Sequence, residues 1–190
     1  MVFTDETTVC VAERSSHFNW RGAGQRLTRR DFSVKTAFPT KVVFWGCFSF
    51  AGVGPRHVCH GTINSTASIS ILKECLLPQA LAWFQDTSWV LVEDNAPCHN
   101  SRATNGWLQQ HGFNVMKWPE NSPDLNPIEN MWSVLKAKLC HISCITNTDL
   151  IRQSQKICNE DDSIKALCEV LINSMPIKIE DVIHNHGGVD

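Results

Sequence analysis

Residues 89–99 read WVLVEDNAPCH, and 34 residues, positions 95 to 128, separate Asp94 from Glu129 in the later word WPENSPDLNPIENMW. Trp89 to Val92 form a short, continuously apolar run that ends in two acids and a proline-containing turn. This is the pattern of a buried parallel strand rather than of an amphipathic helix. Asp94 then lies at the strand's carboxyl end. Ser101 to His111 carries Ala103, Trp107 and Leu108 at roughly helical spacing, with Gly112 placed to cap it. Eleven helical residues travel roughly 16 Å, and Phe113 to Trp118, extended, return a similar roughly 17 to 20 Å. The chain therefore comes back to the edge it left. PENSPDLNP is a loop by composition, and Asn126 followed by Pro127 gives an N-cap and a first-turn proline for the next helix. Glu129 falls in the first turn of that helix, beside Asp94.

Open α/β sheets collect ligands outside the carboxyl ends of their strands, so this edge is the expected place for chemistry. Two close carboxylates repel, and one binds a proton near neutral pH unless a cation stabilises both charges. Mg²⁺ prefers oxygen ligands and suits phosphate substrates. Asn126 and Glu129 also match a capping box, and that structural role stays open beside the metal-binding one. Asp94 alone also fits a polar residue closing a strand.

The words VFTDE, WGCFS, EDNAPCHNS, WPENSPDLNPIENMW and SMPIKIEDVIHNHGG occur in order over about residues 3 to 188. In these words the chain resembles mariner-type transposases of the Tc branch, within the DDE transposase and integrase group. The resemblance implies an α/β, RNase H-like fold with a mixed central sheet flanked by helices. It also implies that Asp5, Asp94 and Glu129 are catalytic and hold two divalent ions, Mg²⁺ or in its place Mn²⁺. Strand parity agrees with Asp5: Phe3 and Asp5 share one face, Thr4 and Glu6 the other. The same parity favours Asp94 over Glu93. Asp124, in a proline-bounded loop, reads as loop or cap chemistry first and as a DNA contact second.

By this resemblance the activity is metal-assisted cleavage of transposon ends and their joining to target DNA, at a TA step, without a protein nucleophile. Implied partners are DNA and a second copy of the chain, and the implied location is the nucleus; neither a membrane nor a small-molecule substrate is expected. His99 and Asn95 match the word after the second acid, which places them near the metals. For His99, approach to a DNA phosphate, orientation of water and support of the loop stay open, with loop support the first reading. For Asn95, positioning of Asp94 and contact with DNA stay open, and neither is read as a metal ligand.

At 190 residues, 43% apolar, with seven tryptophans, the chain suits one globular domain spanning residues 1–190. Only four residues precede Asp5, so the upstream helix-turn-helix domains of such transposases are expected to be absent. This keeps a second hypothesis alive: a truncated, inactive remnant that binds DNA or a transposase subunit. No secretory signal is visible, and VVFWGCFSFAGVG at 42–54 is too short and glycine-broken for a membrane helix. Nine cysteines without a regular framework read as reduced thiols. Cys140, His141 and Cys144, and His57, Cys59 and His60, lack paired zinc-ligand spacing and read as incidental.

The net charge of −2 is unevenly spread. Arg14, Arg21, Arg26, Arg29, Arg30, Lys35 and Lys41 face only Asp31 within residues 14–41, interleaved with Phe18, Trp20, Phe32 and Phe38. Such a stretch suits a phosphate backbone, and a solvated basic hairpin equally; the resemblance around NWRGAGQR tips it toward DNA or a partner subunit. Gln25 stands where the family has an acid, and Ser68 near a position commonly aromatic there. The expected order is strands near 2–11, 41–50 and 56–63, with GVGP as the turn between the last two. A helix over TASISILKECLLPQALAWFQ follows, broken or restarted at Pro78, and then the strand, helix, strand and helix already described. Ile128, Met131, Trp132, Leu135 and Leu139 share one face of the Pro127 helix, which should pack on the sheet. Two or three short helices are expected over 147–185.

Overall fold

The computed structural model describes residues 1–10, 41–85, 87–119, 122–142, 144 and 146–185. The basic stretch apart from Lys41, and with it Arg21, Arg26, Arg29 and Arg30, lies outside the described residues. A four-stranded mixed sheet forms the centre, in the order β3-β2-β1-β4. Strand β1 (Val2–Cys10) pairs antiparallel with β2 (Lys41–Ser49), which pairs antiparallel with β3 (Gly52–Cys59). On its other side β1 runs parallel to β4 (Leu91–Val92), with Val2 opposite Leu91 and Phe3 opposite Val92.

The start of β1 is buried at every position from Val2 to Thr4, because helices cover both faces of the sheet there. On one face Phe3, Phe48 and Val92 pack with Ile128, Met131, Trp132 and Leu135 of α4 (Pro127–Cys140), and with α5 (Asn147–Glu160) and α6 (Asp162–His184). On the other, Val2, Trp45 and Leu91 pack with Ile71, Leu72, Leu76 and Leu108. These belong to α1 (Ser65–Ile71), the segment leading to α2 (Leu77–Phe84), and α3 (Arg102–Gln110). The expected sheet-facing stripe of the Pro127 helix is present in full, and Trp132 is core.

Several expectations shift. The strand after residue 50 begins at Gly52, so GVGP is inside β3 and not the turn before it. The reversal falls at Phe50 and Ala51, closed by Gly52 at φ +123°, a left-handed conformation that favours glycine. Gly54 and Pro55 fall where the β2–β3 register slips between Gly46 and Phe48, which is a bulge on an edge strand. Proline is tolerated there because no ladder bond requires its missing N–H. The same composition therefore serves as turn and as bulge. A Cβ on Gly54 would lie 2.4 Å from Cys47 Sγ, so this position also needs its lack of a side chain.

The long helix does restart at Pro78: a π-helical turn over Leu72–Leu76 separates α1 from α2, whose first turn holds the proline. Widening the turn accommodates a ring that cannot donate to the preceding one. Helix α3 is capped by Ser101, whose Oγ accepts from the Thr104 amide, and Gly112 takes φ +69° just beyond it. Ala103 is exposed and Thr104 is buried in its place, its hydroxyl donating to Cys98 O at 2.6 Å. The return segment joins the sheet through a single parallel bridge, Leu91 to Val115, with Leu91 N donating to Asn114 O and Met116 N to Leu91 O. The C-terminal region forms two helices, of 14 and 23 residues, the longer continuing through Pro176. Its face Ile164, Cys168, Leu171 and Met175 stays buried, and that burial outweighs the proline's local preference. No described helix is long and apolar enough to cross a membrane.

Gly46 pairs with Asp5, and a Cβ built on it would lie 2.6 Å from the Trp132 ring. The absent side chain lets α4 approach the sheet. Gly46→Ala is expected to lose about 1–3 kcal/mol in urea unfolding through overpacking. Gly106→Ala, in α3 with nothing within 4 Å of the new atom, is expected to gain about 0.5–1 kcal/mol.

Candidate active site

The parallel β1–β4 pair points both strands toward the same edge. Asp5 stands two residues beyond Phe3, and Asp94 two beyond Val92, the last paired positions of that ladder. Asp5 shares the face of Phe3, toward α4, as parity requires. Its Oδ1 accepts from the Glu6 amide at 2.6 Å. Glu129 lies in the first turn of α4, half-buried, where the helix's positive end favours an acid. Of the capping box, the Asn126 half goes elsewhere: its Oδ1 accepts from the Ile128 amide at 3.4 Å rather than from that of Glu129. Asp124 sits in a short 3₁₀ turn, Pro123–Leu125, exposed.

Burial pushes the Asp5 carboxyl well above the usual carboxylate range, to about 7. The charge of Glu129 raises it further, the Glu6 amide opposes the rise, and the charges of Glu6 and Asp94 add to it. Asp5 therefore feels both of the other acids, Glu129 more strongly than Asp94. All three offer oxygen donors, and crowded carboxylates are relieved by a hard divalent cation. In donor chemistry the residues fit such an ion. Among the described residues, however, no three His, Cys, Asp or Glu side chains are drawn together tightly enough to enclose a metal.

Asp94 is 48% exposed, and its Oδ1 accepts from the Ala96 amide at 3.0 Å. Asn95 ties the following loop to the return segment: its Nδ2 donates to Trp118 O at 2.8 Å, and its Oδ1 accepts from Asn100. His99 is buried on the opposite face of the sheet from Asp5. Its Nε2 lies 3.5 Å from Glu6 and 3.6 Å from Asp94, and its Nδ1 lies 3.6 Å from Glu93 and 3.3 Å from Ser68 Oγ. Burial alone would push the imidazole down. The hydrogen bond with Glu6 and the charges of Glu93, Glu6 and Asp94 outweigh it and hold the pKa at about 9. Glu93 is pushed up to about 7 by its own burial, opposed by His99. Sequence reasoning set Glu6 and Glu93 aside by parity and did not see Ser68 in this role. Two acids on the buried face of central strands do signal a counter-cation, and His99 is the local one.

The sequence matches the model of the DDE superfamily endonuclease family over residues 1–151. This chain belongs to that family. It is similar to the Tcb1 transposase of Caenorhabditis briggsae, 33% identical over 150 residues that cover 77% of this chain and 52% of the relative. It is also similar to the Tc1 transposase of Caenorhabditis elegans, 30% identical over 187 residues covering 90% and 66%. Among solved structures, the Mos1 mariner paired-end complex with Mn superposes with a TM-score of 0.82 at 18% identity, covering all of this chain and 56% of that one. The catalytic domain of Mos1 mariner transposase gives 0.68 at 14%, covering all of this chain and 83% of that one. The fold of this DDE-family chain is RNase H-like, a mixed sheet flanked by helices. The chain spans about half to two thirds of the length of these curated relatives.

Raised folded-state pKa values fix a pH dependence. Asp5 and Glu93 hold protons in the folded state that the unfolded chain has already released by pH 5, so stability falls as pH rises from about 4 to about 7. His99 contributes stability that is complete below about 6.5 and is lost as pH rises through about 9. Without divalent ions the melting temperature is therefore expected to decline from pH 5 to pH 9. Asp5→Asn should flatten the acid half of that decline, measured by thermal unfolding across pH.

Proposed function

We propose that residues 1–190 form one catalytic domain of a Tc/mariner-type transposase, in which Asp5, Asp94 and Glu129 hold two divalent ions, Mg²⁺ or Mn²⁺, for DNA strand cleavage and strand transfer. The observation that carries this reading is the half-buried Asp5 carboxyl beside Glu129 and Asp94, raised to about 7 by desolvation and by their charges. A protein that crowds acids beside one another at the edge of its sheet gains from a cation there. Bound divalent ions supply Lewis-acid activation of an attacking hydroxyl and stabilisation of the leaving oxygen in phosphodiester chemistry.

The chain's own residues divide the remaining work. Asp5 sits on a central strand whose neighbours are packed on both faces, so its position is set by the core. Glu129 is carried by α4, fixed on the sheet through Trp132 and Met131. Asp94, half exposed, is the member turned toward solvent and so toward a DNA strand. The Asn95 tether to Trp118 holds the loop that follows it. No side-chain nucleophile is needed, and the nine cysteines, all free thiols, have no part in the reaction.

Transposon-end DNA and a second copy of the chain are the partners this reading assigns. Solved Mos1 transposase structures described as paired-end and strand transfer complexes support it, and TA target steps and action in the nucleus follow from the same reading. Mos1 structures with Mn and with Mg support the choice of ions.

On labelled DNA carrying the element's ends with Mn²⁺, cleavage is expected from the wild-type protein, and a loss on the order of 100-fold or more in Asp94→Asn and in Glu129→Gln. Equal cleavage by wild type and variants would sink the triad. Tight DNA binding with no cleavage by the wild type would favour a non-enzymatic binding module.

A further inference from the structure

Asp5 and Glu129 are carried by a strand and a helix, but Asp94 lies two residues past the end of β4 and is half exposed. A carboxylate on such a backbone samples several rotamers, and ordering it costs conformational entropy. Something outside the strand must hold it. The imidazole of His99, only 6% exposed, reaches from the sheet's opposite face, with Nε2 3.6 Å from Asp94 Oδ1.

The ring is itself held from three elements. Glu6 Oε2 of β1 stands 3.5 Å from Nε2, while on the Nδ1 side Glu93 Oε1 stands at 3.6 Å and Ser68 Oγ of α1 at 3.3 Å. Glu93 is fixed in turn by the Thr4 hydroxyl, which points both at its Oε1 and at Val92 O, each at 3.4 Å. Glu6 Oε1 is buried with no hydrogen-bond partner, so the ring is the contact on which that side chain depends. On Asp94 the imidazole and the Ala96 amide both address Oδ1, which orients the carboxylate while leaving Oδ2 to a ligand.

We propose that His99 is a positioning residue that locks Asp94 through Oδ1 and references it to β1 and α1 by its contacts with Glu6, Glu93 and Ser68. The proposal rests on the reading of Asp94 as a metal ligand. His99 itself binds no metal. Its part is that of an outer partner, whose loss in metal sites typically weakens affinity by about 10–100-fold.

Removing the His99 ring from between Glu6, Glu93 and Asp94 takes away a buried partner of these acids and destabilises the fold, so the test uses the matched pair Glu93→Gln and Glu93→Gln/His99→Ala, each checked by thermal unfolding. Two quantities are read: Mn²⁺ affinity by calorimetry, and the exchange rate of the Ala96 amide by NMR in metal-free protein. The second does not depend on metal. Expected are a Mn²⁺ affinity about 10–100-fold weaker and faster Ala96 exchange in the double variant. Partial recovery of both is expected in Glu93→Gln/His99→Gln, whose amide can occupy the place of Nε2. Unchanged affinity and unchanged Ala96 exchange in a folded double variant would overturn the proposal. If the double variant does not fold, Ser68→Ala, which removes only the hydroxyl at Nδ1, should still speed Ala96 exchange, and no change there overturns it as well. Asp94→Asn separates the two readings. Should it bind Mn²⁺ like the wild type while Ala96 exchange still depends on His99, the metal assignment fails and the positioning role stands.

Discussion

A half-buried carboxyl group in the middle of a central strand is the constraint around which this chain is arranged. Asp5 pairs across the sheet with Gly46, and the space that glycine leaves is filled by the Trp132 ring. That contact brings α4 close enough for Glu129, one turn before Trp132, to act on Asp5 as the largest neighbouring charge. Close packing and charge crowding thus have one origin. Pushing α4 outward to relieve the acids would open a void beside Gly46, and a void of one or two methyl groups is itself costly.

On the reverse face the same strands carry a second set of acids, and these are handled in another way. Glu6 and Glu93 face His99, whose charge they stabilise, and His99 in turn opposes the rise that burial imposes on Glu93. Glu6 and Glu93 enclose a counter-charge of their own, while the acids facing α4 meet it only at Asp94. That asymmetry separates a site suited to an external cation from a structural ion cluster, although both lie on β1 and on the residues after β4.

How much of this was legible in the sequence depended on whether partners were close along the chain or tied by periodicity. The path from Asp94 to the first turn of α4 could be traced because each step along it, strand, turn, helix, return and loop, has a length and a local signature. Parity separated Asp5 from Glu6 and Asp94 from Glu93, once the family resemblance had drawn attention to the first strand. Ser68 and His99 are 31 residues apart, on a helix and a loop that have no shared pattern, so their contact was not legible. Gly54 and Pro55 misled because glycine and proline mark any departure from a regular ladder; whether the chain reverses or merely bulges is decided by the neighbouring strand. The shortness of β4 was also hidden, since an apolar run signals burial and not how many of its residues find a hydrogen-bonded neighbour.

The bulge in β3 bears on how copies of this chain meet. An outer strand with regular, unpaired amides invites another strand to add to it, the route to uncontrolled sheet extension. Here the outer strand carries a proline where an amide would stand and a local kink beside it, while Arg56 reaches from the same strand to Gln155 O and Asn159 of α5. Among the described residues, this flank of the sheet is therefore poorly suited to strand addition. On this side, helix and loop surfaces are left for contact with a second copy, and these can engage and separate without templating a fibre.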